Sequence, residues 1–222
     1  MCQDHTVSTL YDCSVQSDRA AGLAAAAGAV RSGRLVVLPT DTLYGIGCDA
    51  FDAKAVRYLL EAKGRGPDMP VPVLVGSWTT IDGLVLSVPR QARALIEAFW
   101  PGGLSLVLHH APSLAWDLGN TRGTVMLRMP LHPVALELLR DVGPMAVSSA
   151  NKSGFPPAAT AQEAWDQLGE DVGVYLDGGR SEENTASTIV DLTGPDPVVL
   201  REGAVPVGEV REVLGVEVEV AR

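Results

Sequence analysis

The apolar run Met145-Ala146-Val147 gives way to Ser148-Ser149-Ala150-Asn151-Lys152-Ser153-Gly154. A strand that ends in small hydroxyl and amide side chains presents hydrogen-bonding groups to a ligand at its carboxyl end. Ser149 and Asn151 stand two apart, so in extended chain they share one side. The competing reading is a turn in which both bond their own backbone. Lys63 and Arg65 are also two apart, in Lys63-Gly64-Arg65-Gly66-Pro67-Asp68-Met69-Pro70. On an extended loop they can aim at one polyanion, the ligand class such cations favour. Attraction to a helix C-terminus accounts for only one of them.

Arg128 lies inside Val125-Met126-Leu127-Arg128-Met129-Pro130. A charge within an apolar strand is costly to bury unless paired. Arg128 therefore either faces water from an edge strand or aims its guanidinium fork at a carboxylate. Arg201 after Val198-Val199-Leu200 repeats the design, and Ser187-Thr188 puts hydroxyls at the start of another strand. Together these residues describe one polar cleft for several anionic groups.

Other chemistries are excluded. Gly45-x-Gly47-x-x-Ala50 matches a dinucleotide fingerprint by letter, but Thr40 to Tyr44 separates it from the preceding strand, and Asp68 precedes the second strand instead of ending it. The better reading is a pair of glycines permitting close backbone approach. Ser149-x-x-Lys152 lacks the Ser-Asp-Asn and Lys-Thr-Gly partners of a penicillin-binding nucleophile. No GxSxG elbow and no Walker A sequence occur. Cys2, Cys13 and Cys48 form no CxxC pair. His109 and His110 are adjacent and point to opposite faces of a strand, so no transition-metal site is expected.

The elements that must position these residues read as strands alternating with helices. Strands are expected at 35–38, 71–75, 105–108, 124–129, 145–147, 172–176, 187–192 and 198–200. Pro72 marks its strand as an edge or irregular one. Helices are expected at 17–32, 52–62, 89–100, 133–140, 161–168 and 206–214, with Asp52 as a cap, Gly33 as a stop and Pro133 at a first turn. The class is α/β with a mixed β-sheet and flanking helices. The division is an N-terminal extension 1–16, one domain 17–215, and a tail 216–222 whose alternation would let it fray or pair.

With 46% apolar residues over 222 positions, the chain can bury a sizeable core. No uninterrupted apolar run reaches 18 residues, so no membrane helix is expected. The start lacks the positive region of a secretory signal, which makes the cytoplasm the default. Lys plus Arg number 17 against 27 Asp plus Glu, a net charge of −10. Such a chain binds anions only by focusing a few cations in a cleft, and shows no basic stripe for nucleic acid.

Seven motifs occur in one order: Pro39-Thr40-Asp41-Thr42-Leu43-Tyr44-Gly45-Ile46-Gly47, Lys63-Gly64-Arg65, Trp100-Pro101-Gly102, Arg128-Met129-Pro130-Leu131-His132-Pro133, Ser149-Ala150-Asn151, Ser187-Thr188-Ile189-Val190-Asp191 and Arg201-Glu202-Gly203. In this order the chain resembles the YrdC-like L-threonylcarbamoyladenylate synthases over roughly residues 17 to 215. The resemblance implies a twisted mixed sheet with a concave, cation-lined cleft, in the short, single-domain form of the family. It implies synthesis of threonylcarbamoyl-AMP and pyrophosphate from L-threonine, bicarbonate and ATP, for threonylcarbamoyladenosine in tRNA. Mg²⁺ would travel with ATP. A threonylcarbamoyl transferase complex would act downstream, with a transient tRNA contact and no membrane partner.

Carried over residue by residue, the resemblance makes Lys63, Arg65, Ser149 and Asn151 the catalytic polar set around the phosphates. Arg65, Thr124, Ser149 and Arg201 become ATP contacts. Thr42, Arg128, Ser187 and the Val147 backbone become threonine contacts. Gly66, Leu74, Gly103 and Glu202 depart from common family residues; Leu74 stands where some relatives have a threonine-binding His, and Glu202 adds a negative charge beside Arg201. The alternatives are carbamoyl-adenylate formation, as in hydrogenase-maturation proteins, and a non-enzymatic RNA-binding or ribosome-assembly role.

Overall fold

The computed structural model describes residues 8–66, 68–181 and 185–221. In chain order the elements are β1 (Thr9–Asp12), α1 (Gln16–Arg31), β2 (Val36–Leu38), β3 (Gly45–Asp49), α2 (Ala53–Ala62), β4 (Val73–Leu74), a 3-10 helix (Trp78–Gly83) and α3 (Arg90–Phe99). Then follow β5 (Leu104–His109), β6 (Thr124–Arg128), α4 (Pro133–Val142), β7 (Met145–Ser149), α5 (Ala161–Leu168), a 3-10 turn (Gly169–Asp171), β8 (Val174–Asp177), β9 (Thr188–Asp191), β10 (Val198–Arg201), α6 (Val207–Leu214) and β11 (Glu219–Val220).

All the strands join one mixed sheet in the order β1-β8-β2-β3-β7-β4-β6-β5-β9-β10-β11. Pairing is parallel for β1–β8, β2–β8, β4–β6, β5–β9 and β10–β11, and antiparallel for the other neighbours. One face carries the larger core. Its core joins Val37, Ile46, Leu106, Leu127 and Val190 of the strands to Val56 and Leu59 of α2, Leu95 of α3 and Val210 of α6. Burying a Leu or Val side chain fully is worth roughly 1.5–3 kcal/mol, so this layer carries much of the fold's stability. The other face is covered only in part. There α1 and α4 pack Leu23, Val30, Val134 and Leu138 against Val36, Leu38, Met145, Val147 and Leu176.

Beyond α4 the same face continues uncovered onto β6, β5 and β9. Alternation along these strands sends Leu104, Leu106, Val125 and Leu127 into the large core. It sends Ser105, Met126 and Arg128 to the open side, where they line a cavity. Period-two patterning thus places the functional side chains.

Three readings change. Residues 1–16 were expected to lie outside the domain, yet Thr9–Asp12 adds a parallel edge strand to β8. Gly45–Asp49 is a strand paired to β2 and β7. Of the two expectations for the Pro72 strand, irregular holds and edge does not: it is central, between β7 and β6, and only Val73–Leu74 pair regularly. Pro72 lacks an N–H but its carbonyl accepts from Val147 N at 2.9 Å, so proline at the strand's start costs little. In the tail, Glu219–Val220 pair with β10.

Candidate active site

The cavity of about 350 Å³ sits at the open half of the sheet, lined by residues of several elements including Thr42, Arg65, Arg128, Ser149, Ser187 and Arg201. Three arginines and no carboxylate are among the described residues that line it. In a protein of net charge −10, the cleft concentrates positive potential where the chain as a whole has little.

Arg128 ends β6 and is buried, 6% exposed. Its Nε donates to Gly102 O at 2.8 Å, its Nη1 to Thr42 Oγ1 at 2.6 Å and its Nη2 to Asp41 Oδ1 at 2.5 Å. Asp41 also accepts from Leu131 N at 2.8 Å. Burial pulls the Arg128 guanidinium below its ordinary value, and Asp41 opposes that. The edge-strand alternative for Arg128 is excluded, because β6 lies between β4 and β5. Thr42 is held in turn: Thr40 Oγ1 accepts from Thr42 N and Leu43 N at 3.2 Å, and Ser181 Oγ donates to Thr42 O at 2.8 Å.

Arg201 lies across the cleft. Its Nε and Nη2 donate to Ser187 O at 3.0 and 2.7 Å, and Nη2 reaches Ser187 Oγ at 3.2 Å. Ser187 and Ser105 hydroxyls are 2.9 Å apart. Arg65 donates from Nε to Ser153 Oγ at 3.1 Å and from Nη1 to Ser148 Oγ at 3.2 Å. Among the described residues Arg128 is ion-paired, whereas neither Arg65 nor Arg201 has an acidic partner. Two cations thus retain charge to offer an anion.

Val147 lines the cavity over two glycines of β3. A Cβ at Gly45 would lie 2.5 Å from Val147 Cγ1, and one at Gly47 2.8 Å from Val147 Cγ2. The glycines are there because β3 passes beneath this side chain. Close approach was the correct reading; its place in a strand was not, although the alternation of Gly45 and Gly47 with buried Ile46 and Cys48 carried that signal.

The structure separates some residues expected to act together. Lys63 caps the C-terminus of α2, and Gly64 follows with φ +65°. Gly64 N donates to Glu61 O and Arg65 N to Leu60 O, both 2.8 Å. This is the paired closure of a Schellman motif. The left-handed residue reverses the chain, so Lys63 turns inward and only Arg65 reaches the cleft. The pair does not sit on an extended loop. Lys63 is fully buried, and its ammonium donates to Ser149 O and to Asn151 O, the latter at 2.6 Å. Burial first, then the Arg65 charge, pulls its pKa down to about 7.

Asn151, 5% exposed, donates from Nδ2 to Lys152 O and Phe155 O at 3.0 and 2.8 Å. It is therefore the turn residue of the competing reading, and does not share a cleft face with Ser149. Thr124 is not among the cavity-lining residues; its Oγ1 donates to Thr121 O at 2.8 Å. It precedes Met126 and Arg128 on the same face of β6, beyond the cavity rim.

Two departures find physical reasons. Glu202 Oε1 accepts from Val207 N at 2.8 Å, so this carboxylate satisfies a free N–H at the start of α6. A Cβ at Gly103 would meet Ala204 Cβ at 2.6 Å, and Gly103 O accepts from Thr188 N at 2.9 Å. Leu74 lines the cavity as an apolar wall. Asp41, Ser105 and Ser148 received no role from the sequence. Asp41 and Ser148 stand inside or beside quoted motifs, but no spacing rule links them to Arg128 or Arg65.

Fold and site together define an α/β domain whose open sheet face carries a cleft lined by Arg65, Arg128 and Arg201. The family model for Sua5/YciO/YrdC proteins, described as telomere recombination, matches residues 28–203. The chain belongs to this family. It is 64% identical over 207 residues to a putative threonylcarbamoyl-AMP synthase of Mycobacterium tuberculosis, covering 93% of this chain and 95% of that one. The crystal structure of P. abyssi Sua5 complexed with L-threonine superposes with a TM-score of 0.89 at 34% identity, covering 96% of this chain. The chain spans 63% of that protein's length. E. coli YciO superposes with a TM-score of 0.77 at 26% identity, covering 93% of this chain and 98% of that one.

Proposed function

We propose that this protein is a threonylcarbamoyl-AMP synthase. It condenses L-threonine, bicarbonate and ATP into threonylcarbamoyl-AMP and pyrophosphate. The observation that carries the reading is the unequal pairing of the cleft arginines. Arg128 is matched by Asp41 and tied to Thr42, a nearly neutral fork suited to the carboxylate and hydroxyl of a zwitterion. Arg65 and Arg201 retain their charge, which suits a triphosphate. The 64% identical relative carries the synthase name across nearly its full length.

The chemistry asks for positioning and charge neutralisation more than for a protein nucleophile. The threonine amine attacks bicarbonate carbon, a hydroxide equivalent leaves as water, and a carbamate forms. A carbamate oxygen then attacks the α-phosphorus, the bond to the β-phosphate oxygen breaks, and pyrophosphate departs. Thr42 and Arg128 hold threonine, with Ser187 beside them and the Val147 side chain shaping the floor. Arg65, Ser149 and Arg201 hold the nucleotide, and Thr124 extends that contact beyond the cavity rim. Mg²⁺ arrives on the phosphates; no carboxylate is among the described residues that line the cleft. The product feeds a transferase complex that modifies tRNA. On this reading the place of action is the cytoplasm, where tRNA is modified; separately, no helix among the described residues is long and apolar enough to cross a membrane.

Pyrophosphate release from ATP tests the reading. It should require both L-threonine and bicarbonate and fall to background when either is omitted. Release that ignores threonine would place the chain with carbamoyl-adenylate enzymes.

A further inference from the structure

Lys63 is the most conspicuous cation of the sequence, yet its side chain is fully buried and does not line the cavity. Its ammonium has three donors, and three oxygens converge on it: Ser149 O, Asn151 O at 2.6 Å and Asn151 Oδ1 at 3.5 Å. The backbone completes the closure, because Ser153 N donates to Lys63 O at 2.9 Å. Asn151 is in turn fixed by its bonds to Lys152 O and Phe155 O. A cation in apolar surroundings is tolerated only when such partners replace its water.

We infer that Lys63 is a positioning residue: it never touches the phosphates, but pins the turn after β7 to the C-terminus of α2, so that Ser149 and Arg65 face the cleft at a fixed separation. The two groups it sets come from opposite sides of this closure. Ser149 ends β7 one residue before the turn. Arg65 leaves α2 just after the left-handed Gly64 and reaches across to Ser148 and Ser153. Without the ammonium, the carbonyls of Ser149 and Asn151 would face each other across a void and the turn would lose its anchor. The lowered pKa agrees with a dry site and not with one open to a hydrated triphosphate. This inference rests on the synthase reading for its functional consequence, and on geometry alone for the placement of the amine.

The placement is tested without reference to activity. The chain has three lysines, Lys54, Lys63 and Lys152, and the other two are exposed. The whole protein is treated with an acetylating N-hydroxysuccinimide ester at pH 8, with and without MgATP, and its peptides are followed by mass spectrometry. Lys54 and Lys152 should acetylate readily. Lys63 should react at least about 100-fold more slowly, with or without nucleotide. Fast labelling of Lys63 in the free protein, slowed by MgATP, would put the amine in the phosphate site and overturn the inference.

The consequence is tested by a double-mutant cycle with Lys63→Met and Ser149→Ala, read as pyrophosphate release. A residue that acts through Ser149 gives a double variant within about threefold of the worse single one, with L-threonine binding in the absence of ATP retained. Losses that multiply would show independent contacts with substrate and overturn it. If Lys63→Met does not fold, the labelling pattern decides. If the wild type releases no pyrophosphate, the synthase reading fails, while the labelling pattern still decides where the Lys63 amine lies.

Discussion

Arg128 gains its role from partners distant in sequence. Asp41 lies 87 residues away, Thr42 86 and Gly102 26, yet all three bonds converge on one guanidinium. Replacing it by Lys keeps the charge but cannot reproduce the planar fork. Arg128→Lys should raise the threonine KM about tenfold to a hundredfold, the loss expected from one or two charge-assisted bonds of roughly 1.5–3 kcal/mol, and leave the ATP KM within about threefold. A shift in ATP KM instead would move Arg128 to the nucleotide side. Asp41→Asn tests the other half of the pair. It leaves a buried cation uncompensated, which costs about 3–5 kcal/mol, and should appear in denaturant unfolding as well as in threonine KM. That a charge sits in an apolar strand was legible in the sequence. Which carboxylate neutralises it was not, because pairing across the sheet depends on the order of strands, which local pattern does not fix.

At the level of elements, the helices were legible because end signals such as caps, glycine stops and first-turn prolines are local. Asp52 accepts from Lys54 N and Ala55 N, as a cap there should. The glycine after Lys63 is an equally local signal for a helix stop, and a left-handed residue at that point is enough to part the directions of Lys63 and Arg65. The strand β3 was harder, because two of its five residues are glycines that pack against Val147 through their lack of a side chain. β1 was missed because a four-residue edge strand with a half-polar pattern resembles a loop. The end of β10 shows how an element can absorb an odd residue. Glu202 stands one position past Arg201 but is drawn to the first N–H of α6. Glu202→Ala should therefore lower stability by about 0.5–1 kcal/mol, as loss of a capping bond does, and leave the ATP KM within about twofold. A marked drop in ATP KM would mean that the carboxylate repels the phosphates and is not spent on the helix.

At the scale of the molecule, the same sheet face is packed at one end and open at the other, and charge follows that division. The open half holds Arg65, Arg128 and Arg201 while the chain carries a net charge of −10. An open, arginine-bearing sheet face invites comparison with an RNA groove. The arginines that line it are few, however, and Arg128 is already paired with Asp41. Backbone-driven RNA binding gains affinity with each phosphate neutralised, and weak non-specific binders sit near 10⁻⁴ to 10⁻⁶ M at physiological salt. With Arg65 and Arg201 the unpaired arginines among the described lining residues, and a chain whose net charge of −10 disfavours a polyanion, unmodified tRNA at about 10 μM should not inhibit pyrophosphate release at roughly 0.15 M salt. Lowering the salt should give at most a shallow increase in inhibition, since the slope counts the phosphates engaged. Inhibition competitive with ATP at micromolar tRNA, relieved steeply by salt, would contradict this. It would mean that the uncovered strands serve nucleic acid as well as nucleotide, and that the chain's overall acidity is a poor guide to what its concave face binds.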